Sequence, residues 1–108
     1  SSYRQILYHT VIGTKSRQAV IPDNHCEELY RYIWGIVKKK NCMLYQINGT
    51  GGHIHLLTDL HPTLCLSDFI KDIKVASSKW MGSHDHFPLW DSWGEGYGSF
   101  TCSYREKD

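Results

Sequence analysis

Two hydrophobic periods take turns along this chain. From Ile6 to Thr14 the alternation has period two, with Ile6, Tyr8, Thr10 and Ile12 on one face and Leu7, His9 and Val11 on the other. That pattern predicts a strand. Gly13 to Asp23 is polar, holds Lys15, Arg17 and Pro22, and predicts a loop. After Pro22-Asp23-Asn24 the period lengthens, and Leu29, Ile33, Ile36 and Val37 form a helical stripe broadened by Tyr30 and Trp34. Glu27 and Glu28 open this helix and Lys38-Lys39-Lys40 close it, the charge order its dipole favours. Cys42 to Asn48 predicts a second strand with Met43, Tyr45 and Ile47 sharing a face, and the turn Asn48-Gly49-Thr50-Gly51-Gly52 leads into a third, His53 to Leu60. His61-Pro62-Thr63 breaks that strand. A second helix follows from about Leu66 to Met81, with Leu66, Phe69, Ile70, Ile73, Ala76 and Trp80 at helical spacing. Its opposite side carries Ser67, Lys71, Lys74 and Ser78. Gly82 to Glu95 predicts a polar, aromatic loop, Gly96-Tyr97-Gly98 introduces a last strand, Ser99 to Tyr104, and Arg105 to Asp108 a first turn of helix.

The order strand, helix, strand, strand, helix, strand predicts an α+β, ferredoxin-like domain: a four-stranded antiparallel sheet with both helices on one face. At 108 residues the chain is long enough for one core and too short for two, so residues 1–108 are expected to form one domain. No run of apolar residues approaches membrane-spanning length and no signal peptide is visible, which predicts a cytoplasmic protein without membrane association. Cys26, Cys42, Cys65 and Cys102 lack zinc-ribbon spacing and are expected as free thiols in a reducing compartment. The formal charge of +1 means that any nucleic acid must be held by a local patch.

The candidate chemistry lies in the third strand. Side chains alternate along a strand, so His53 and His55 point the same way, about 6–7 Å apart along the chain, and could converge on one divalent cation. Ile54 and Leu56 would then anchor the other face beneath the helices. Lys15, Arg17, Lys71 and Lys74 are the candidate phosphate contacts, with plain solvation as the alternative. His9 is expected to be packed or hydrogen-bonded, with a part in lining the site as the alternative. His25 and His61 are expected at the surface, and His84 and His86, in a polar loop, in a structural or incidental role. Tyr97 and Phe100 are expected to pack within the strand, with base stacking as the alternative.

His53-Ile54-His55 is a His, bulky apolar, His triplet. With it come Tyr8-His9 ahead of Gly13-Thr14-Lys15, the segment Asp68 to Lys74, and the run Trp93-Gly94-Glu95-Gly96-Tyr97-Gly98-Ser99-Phe100-Thr101. Together these resemble the HUH single-tyrosine transposases of bacterial insertion sequences and their REP-associated relatives, over nearly the whole chain. The resemblance implies metal-assisted cleavage and rejoining of single-stranded DNA at hairpin ends, through a 5′-phosphotyrosine intermediate. It implies that His53 and His55, with a glutamine, bind Mg²⁺ or Mn²⁺, and that a homodimer pairs one subunit's tyrosine helix with the other's histidines. By that alignment the tyrosine and glutamine fall past Asp108, which predicts a chain inactive alone, with Tyr104 as the fallback nucleophile. Gly51-Gly52 departs from the acidic residue that relatives often carry ahead of the triplet. The alternative is a domesticated, non-catalytic protein that binds single-stranded or hairpin nucleic acid. A histidine-triad hydrolase would need a third alternating histidine where Leu57 stands, and an amidohydrolase a much longer barrel.

Overall fold

A computed structural model describes residues 6–103. Strand β1 (Ile6–Gly13) leads through short 3-10 turns at Lys15–Arg17 and Asp23–His25 into helix α1 (Cys26–Lys39). The hairpin of β2 (Leu44–Thr50) and β3 (His53–Thr58) follows, then α2 (Leu66–Gly82) and β4 (Gly98–Ser103). The four strands form one antiparallel sheet in the order β2-β3-β1-β4, so the expected ferredoxin-like α+β fold is the observed one. The expectations for Tyr104 and for a helical turn at Arg105–Asp108 lie outside the described residues.

One face of the sheet is sealed by the helices. Ile12, Ile54 and Leu56 are buried there with Leu29, Ile33 and Val37 of α1 and Phe69, Ile70, Ile73 and Met81 of α2. The stripe at every third or fourth position explains why α1 packs so completely: Leu29, Ile33 and Val37 have no exposed surface at all. Asn41, left-handed at φ 59°, terminates α1 in the way asparagine tolerates. The histidines of β3 fall between the buried positions, because Ile54, Leu56 and Thr58 are buried while His53, His55 and Leu57 are only partly so.

Two details depart from the periodic reading. The β2–β3 ladder shifts register between Leu44 and Gln46, so Tyr45 bulges outward, 38% exposed, and Met43, just before the strand, is exposed as well. Leu44 and Ile47 pack on the core instead of Met43, Tyr45 and Ile47 sharing one face. The segment 83–97 is not merely a polar loop: Phe87 and Trp93 are buried in the core, with Trp90 packed against it. No helix among the described residues is long and apolar enough to cross a membrane. Cys26, Cys42 and Cys65 are free thiols.

Candidate functional site

The open face of the sheet is set by its registers. Residues directly opposite across a ladder share a face. Gly13 lies opposite His53, Val11 opposite His55, and His9 opposite Leu57, while Thr50 and Asn48 flank the two histidines from β2. His9, His53 and His55 therefore stand on the face away from the helices. The imidazoles of His53 and His55 have centroids 4.9 Å apart, and those of His9 and His55 5.5 Å apart.

Both β3 histidines are oriented through Nδ1. His53 Nδ1 lies 3.2 Å from Thr50 Oγ1, and His55 Nδ1 3.3 Å from His9 Nε2. With Nδ1 engaged, Nε2 is the atom each ring has left to offer a cation. Burial and the neighbouring His53, His9 and Arg17 hold the His55 pKa below the usual histidine value. At neutral pH His55 is therefore the neutral ring that a metal ligand must be. Two imidazoles on one open face are side chains of a type that can ligate a divalent cation. His9, expected to pack or hydrogen-bond with a part in lining the site as the alternative, meets His55 because β1 and β3 are neighbours, and sequence alternation alone does not reveal that pairing.

Arg17 reaches this site by an unusual backbone. Ser16 and Arg17 both adopt left-handed conformations, φ 57° and 54°, which L-residues enter at a cost of about 1–2 kcal/mol each. Bonds from Arg17 N to Thr14 O (2.9 Å) and from Thr14 Oγ1 to Gln18 O (2.7 Å) hold the turn. The result folds Arg17 back across Gly13, where an added Cβ would lie 2.6 Å from its Nε. Gly13 is the residue opposite His53, so the guanidinium stem lies beside the histidines. A glycine is also required at position 52, since a Cβ there would meet the Arg17 carbonyl oxygen at 2.7 Å. Arg17, Gly13, Ser16 and the stretch Gly94–Gly98 line a hollow of about 380 Å³.

The other candidate cations lie apart. Lys15 is exposed and 3.9 Å from Asp91. Lys71 and Lys74 belong to α2, on the helix side of the sheet. Lys74 donates to Gly94 O (2.7 Å) and Gly96 O (3.0 Å), so it anchors the loop before β4. The next turn does the same work: Ser77 Oγ accepts from Trp93 Nε1 and Ser78 Oγ from Trp90 Nε1. The polar row expected on α2 is in part a loop anchor. Lys71 is exposed and lines a second hollow with Ser67, Gly96 and Tyr97. Gly96 and Tyr97 border both hollows, which links Arg17 to Lys71 over the edge of the sheet.

This arrangement defines a ferredoxin-like domain with paired histidines on an open sheet face. A sequence model of the IS200-like transposases matches residues 2–108, and the chain belongs to that family. It is thereby placed among transposases, proteins of DNA recombination. Among solved structures it is similar to a candidate transposase from Deinococcus radiodurans (TM-score 0.80, 25% identity, 99% of this chain and 85% of that one). A REP-associated tyrosine transposase bound to a REP hairpin shares the fold (TM-score 0.65, 16% identity) over 94% of this chain and 62% of that one. No curated protein sequence matches the chain.

Proposed function

We propose that this protein is a transposase that cleaves and rejoins single-stranded DNA at hairpin ends through a 5′-phosphotyrosine intermediate. The observation that carries the reading is the convergence of His53 and His55, each oriented through Nδ1, beside Arg17 on the uncovered face. The solved relative bound to a REP hairpin supports DNA hairpins as the partner. In this reading residues 1–108 are one catalytic domain, His53 and His55 hold Mg²⁺ or Mn²⁺, and the tyrosine nucleophile and third ligand follow Asp108. When bound, that cation would act as a Lewis acid on the scissile phosphate. Thr50 and His9 fix the two rings, and Arg17 offers a guanidinium to a phosphate oxygen beside them. The tyrosine oxygen loses its proton to solvent as it bonds to phosphorus, the P–O bond to the 3′ oxygen breaks, and that oxygen takes up one proton to leave as a 3′-hydroxyl, which makes the step reversible. Because the phosphodiester energy is stored in the phosphotyrosine, no nucleotide cofactor is needed.

DNA is proposed to run from the histidines past Lys15 and Arg17 and over Tyr97 towards Lys71. Lys74 would meet it only near the loop it anchors. A homodimer would let the tyrosine helix of one subunit complete the histidine site of the other.

The test uses the full-length protein and a labelled single-stranded hairpin. A covalent adduct on a denaturing gel is expected with Mg²⁺ or Mn²⁺, falling at least about 100-fold in His53→Ala and His55→Ala. Hairpin binding with no adduct under any metal would instead favour the non-catalytic binder. Full adduct yield in both histidine variants would remove these residues from the reaction.

A further inference from the structure

A second cluster of ligand-type side chains lies away from the sheet. His25 closes the 3-10 turn before α1, Glu28 sits in the first turn of α1, and His86 lies in the segment between α2 and β4. His86 Nδ1 is 2.7 Å from both carboxylate oxygens of Glu28, and His25 Nδ1 is 3.3 Å from Oε1. The two imidazoles stack with centroids 4.0 Å apart and planes 14° from parallel. One ligand atom from each residue falls within 4.8 Å of the others, and among the described residues this is the one group of three to do so.

Two stacked rings aimed at a single carboxylate pose an electrostatic question. If both were protonated, two positive charges would lie face to face, and one carboxylate would have to serve both. A single cation at the meeting point of both Nδ1 atoms and the carboxylate satisfies all three donors with neutral rings. Two imidazole nitrogens and one carboxylate oxygen are a donor set of four-coordinate zinc, with water in the fourth position. Zinc bonds of about 2.0–2.1 Å in a tetrahedron put ligand atoms about 3.3 Å apart. The His25–Glu28 separation of 3.3 Å matches that value, the His86–Glu28 separation of 2.7 Å is shorter and would have to open, and all three ligand atoms lie within 4.8 Å of one another.

We propose that His25, Glu28 and His86 form a zinc-binding site, separate from the β3 histidines, that clamps the segment after α2 to the start of α1. The clamp closes a loop of 58 residues between Glu28 and His86. The clamped segment continues through Trp90 and Trp93 to the glycines that border the Arg17 hollow, so zinc would also brace one wall of that hollow.

The test titrates Co²⁺ and Zn²⁺ into the full protein carrying His53→Ala and His55→Ala, which removes the β3 pair. One equivalent of Co²⁺ should bind, with visible absorption of four-coordinate strength, and Zn²⁺ should displace it and raise the Tm. Adding His86→Ala or Glu28→Gln should weaken Co²⁺ binding by at least tenfold and abolish the zinc-induced rise in Tm. His86 is half exposed, so its removal leaves the core intact, as circular dichroism without metal will check. Loss of all Co²⁺ binding in the His53→Ala, His55→Ala background overturns the proposal. So does binding that is unchanged by His86→Ala and Glu28→Gln, which would leave the cluster a histidine–carboxylate hydrogen-bond network.

Discussion

His55 combines partial burial with three neighbours that oppose its protonation, His53, His9 and Arg17. Its native pKa lies below the unfolded value of about 6.5, so the folded state binds fewer protons. The stabilisation from keeping this ring neutral is complete above about pH 6.5 and is lost as pH falls through the lower native value. In metal-free protein, NMR titration should place His55 below the unfolded value, and Arg17→Gln should raise it; a pKa unmoved by Arg17→Gln would separate the two side chains. Ser77 is the other residue whose surroundings decide its role. Its hydroxyl is fully buried, donates to Ile73 O at 2.6 Å and accepts from Trp93 Nε1 at 3.0 Å. Ser77→Ala leaves the indole N–H without its acceptor and should cost about 1–3 kcal/mol in urea unfolding. The sequence could not show this, because a serine beside the apolar stripe of α2 looks the same whether it faces water or a tryptophan 16 residues away. The His53–His55 pair was legible, since strand alternation alone puts both on one face; the approach of Arg17 was not, since it depends on two left-handed residues that are not glycines.

At the scale of elements, periodicity located every strand and both helices to within about two residues at most ends, as hydrogen-bonded boundaries generally allow. It failed where tertiary packing overrode local pattern: the bulge at Tyr45 reversed the faces of half of β2, and the aromatic residues after α2 entered the core. The lysines of α2 show what one helix face can hold. Lys74 is tied to two carbonyls, whereas Lys71, one turn earlier, is exposed. Lys74→Met should therefore lower stability by about 1 kcal/mol, while Lys71→Met stays within about 0.5 kcal/mol of the parent in the same urea experiment. Equal effects would mean that Lys74 does not anchor the loop, leaving that to Ser77 and Ser78. Helix α1 offers a separate check. Burial chiefly, with Cys26, Glu27 and Asp23 adding to it, pushes the Tyr30 hydroxyl up to about 12. The stabilisation from its protonated form is whole below the unfolded value of about 10 and fades as pH rises through 12, so Tyr30 should be among the last tyrosines to ionise in an alkaline absorbance titration.

At the scale of the whole molecule, charge is the constraint that any DNA contact must meet. The formal net charge is +1, so there is no general field to gather phosphates, and affinity must come from cations at particular places. Arg17 beside the histidines and Lys71 across the sheet edge are joined by the surface of Gly96 and Tyr97. Each single-strand phosphate contact contributes about 0.7 to the slope of log affinity against log salt. If one strand follows that surface, Arg17→Gln and Lys71→Gln should each flatten the slope by about 0.7, and together by about 1.4, because the two sites are separate. Lys39→Gln, in the last turn of α1, makes the same change in net charge away from this surface and should leave the slope as it was. The control separates a path from a field: a net-charge effect would flatten all three equally, whereas a path flattens only the two it crosses. Fluorescence anisotropy of a labelled hairpin, titrated at several salt concentrations, measures each slope. A flattening by Arg17→Gln without one by Lys71→Gln would confine the DNA to the histidine face and remove the helix side from the interface.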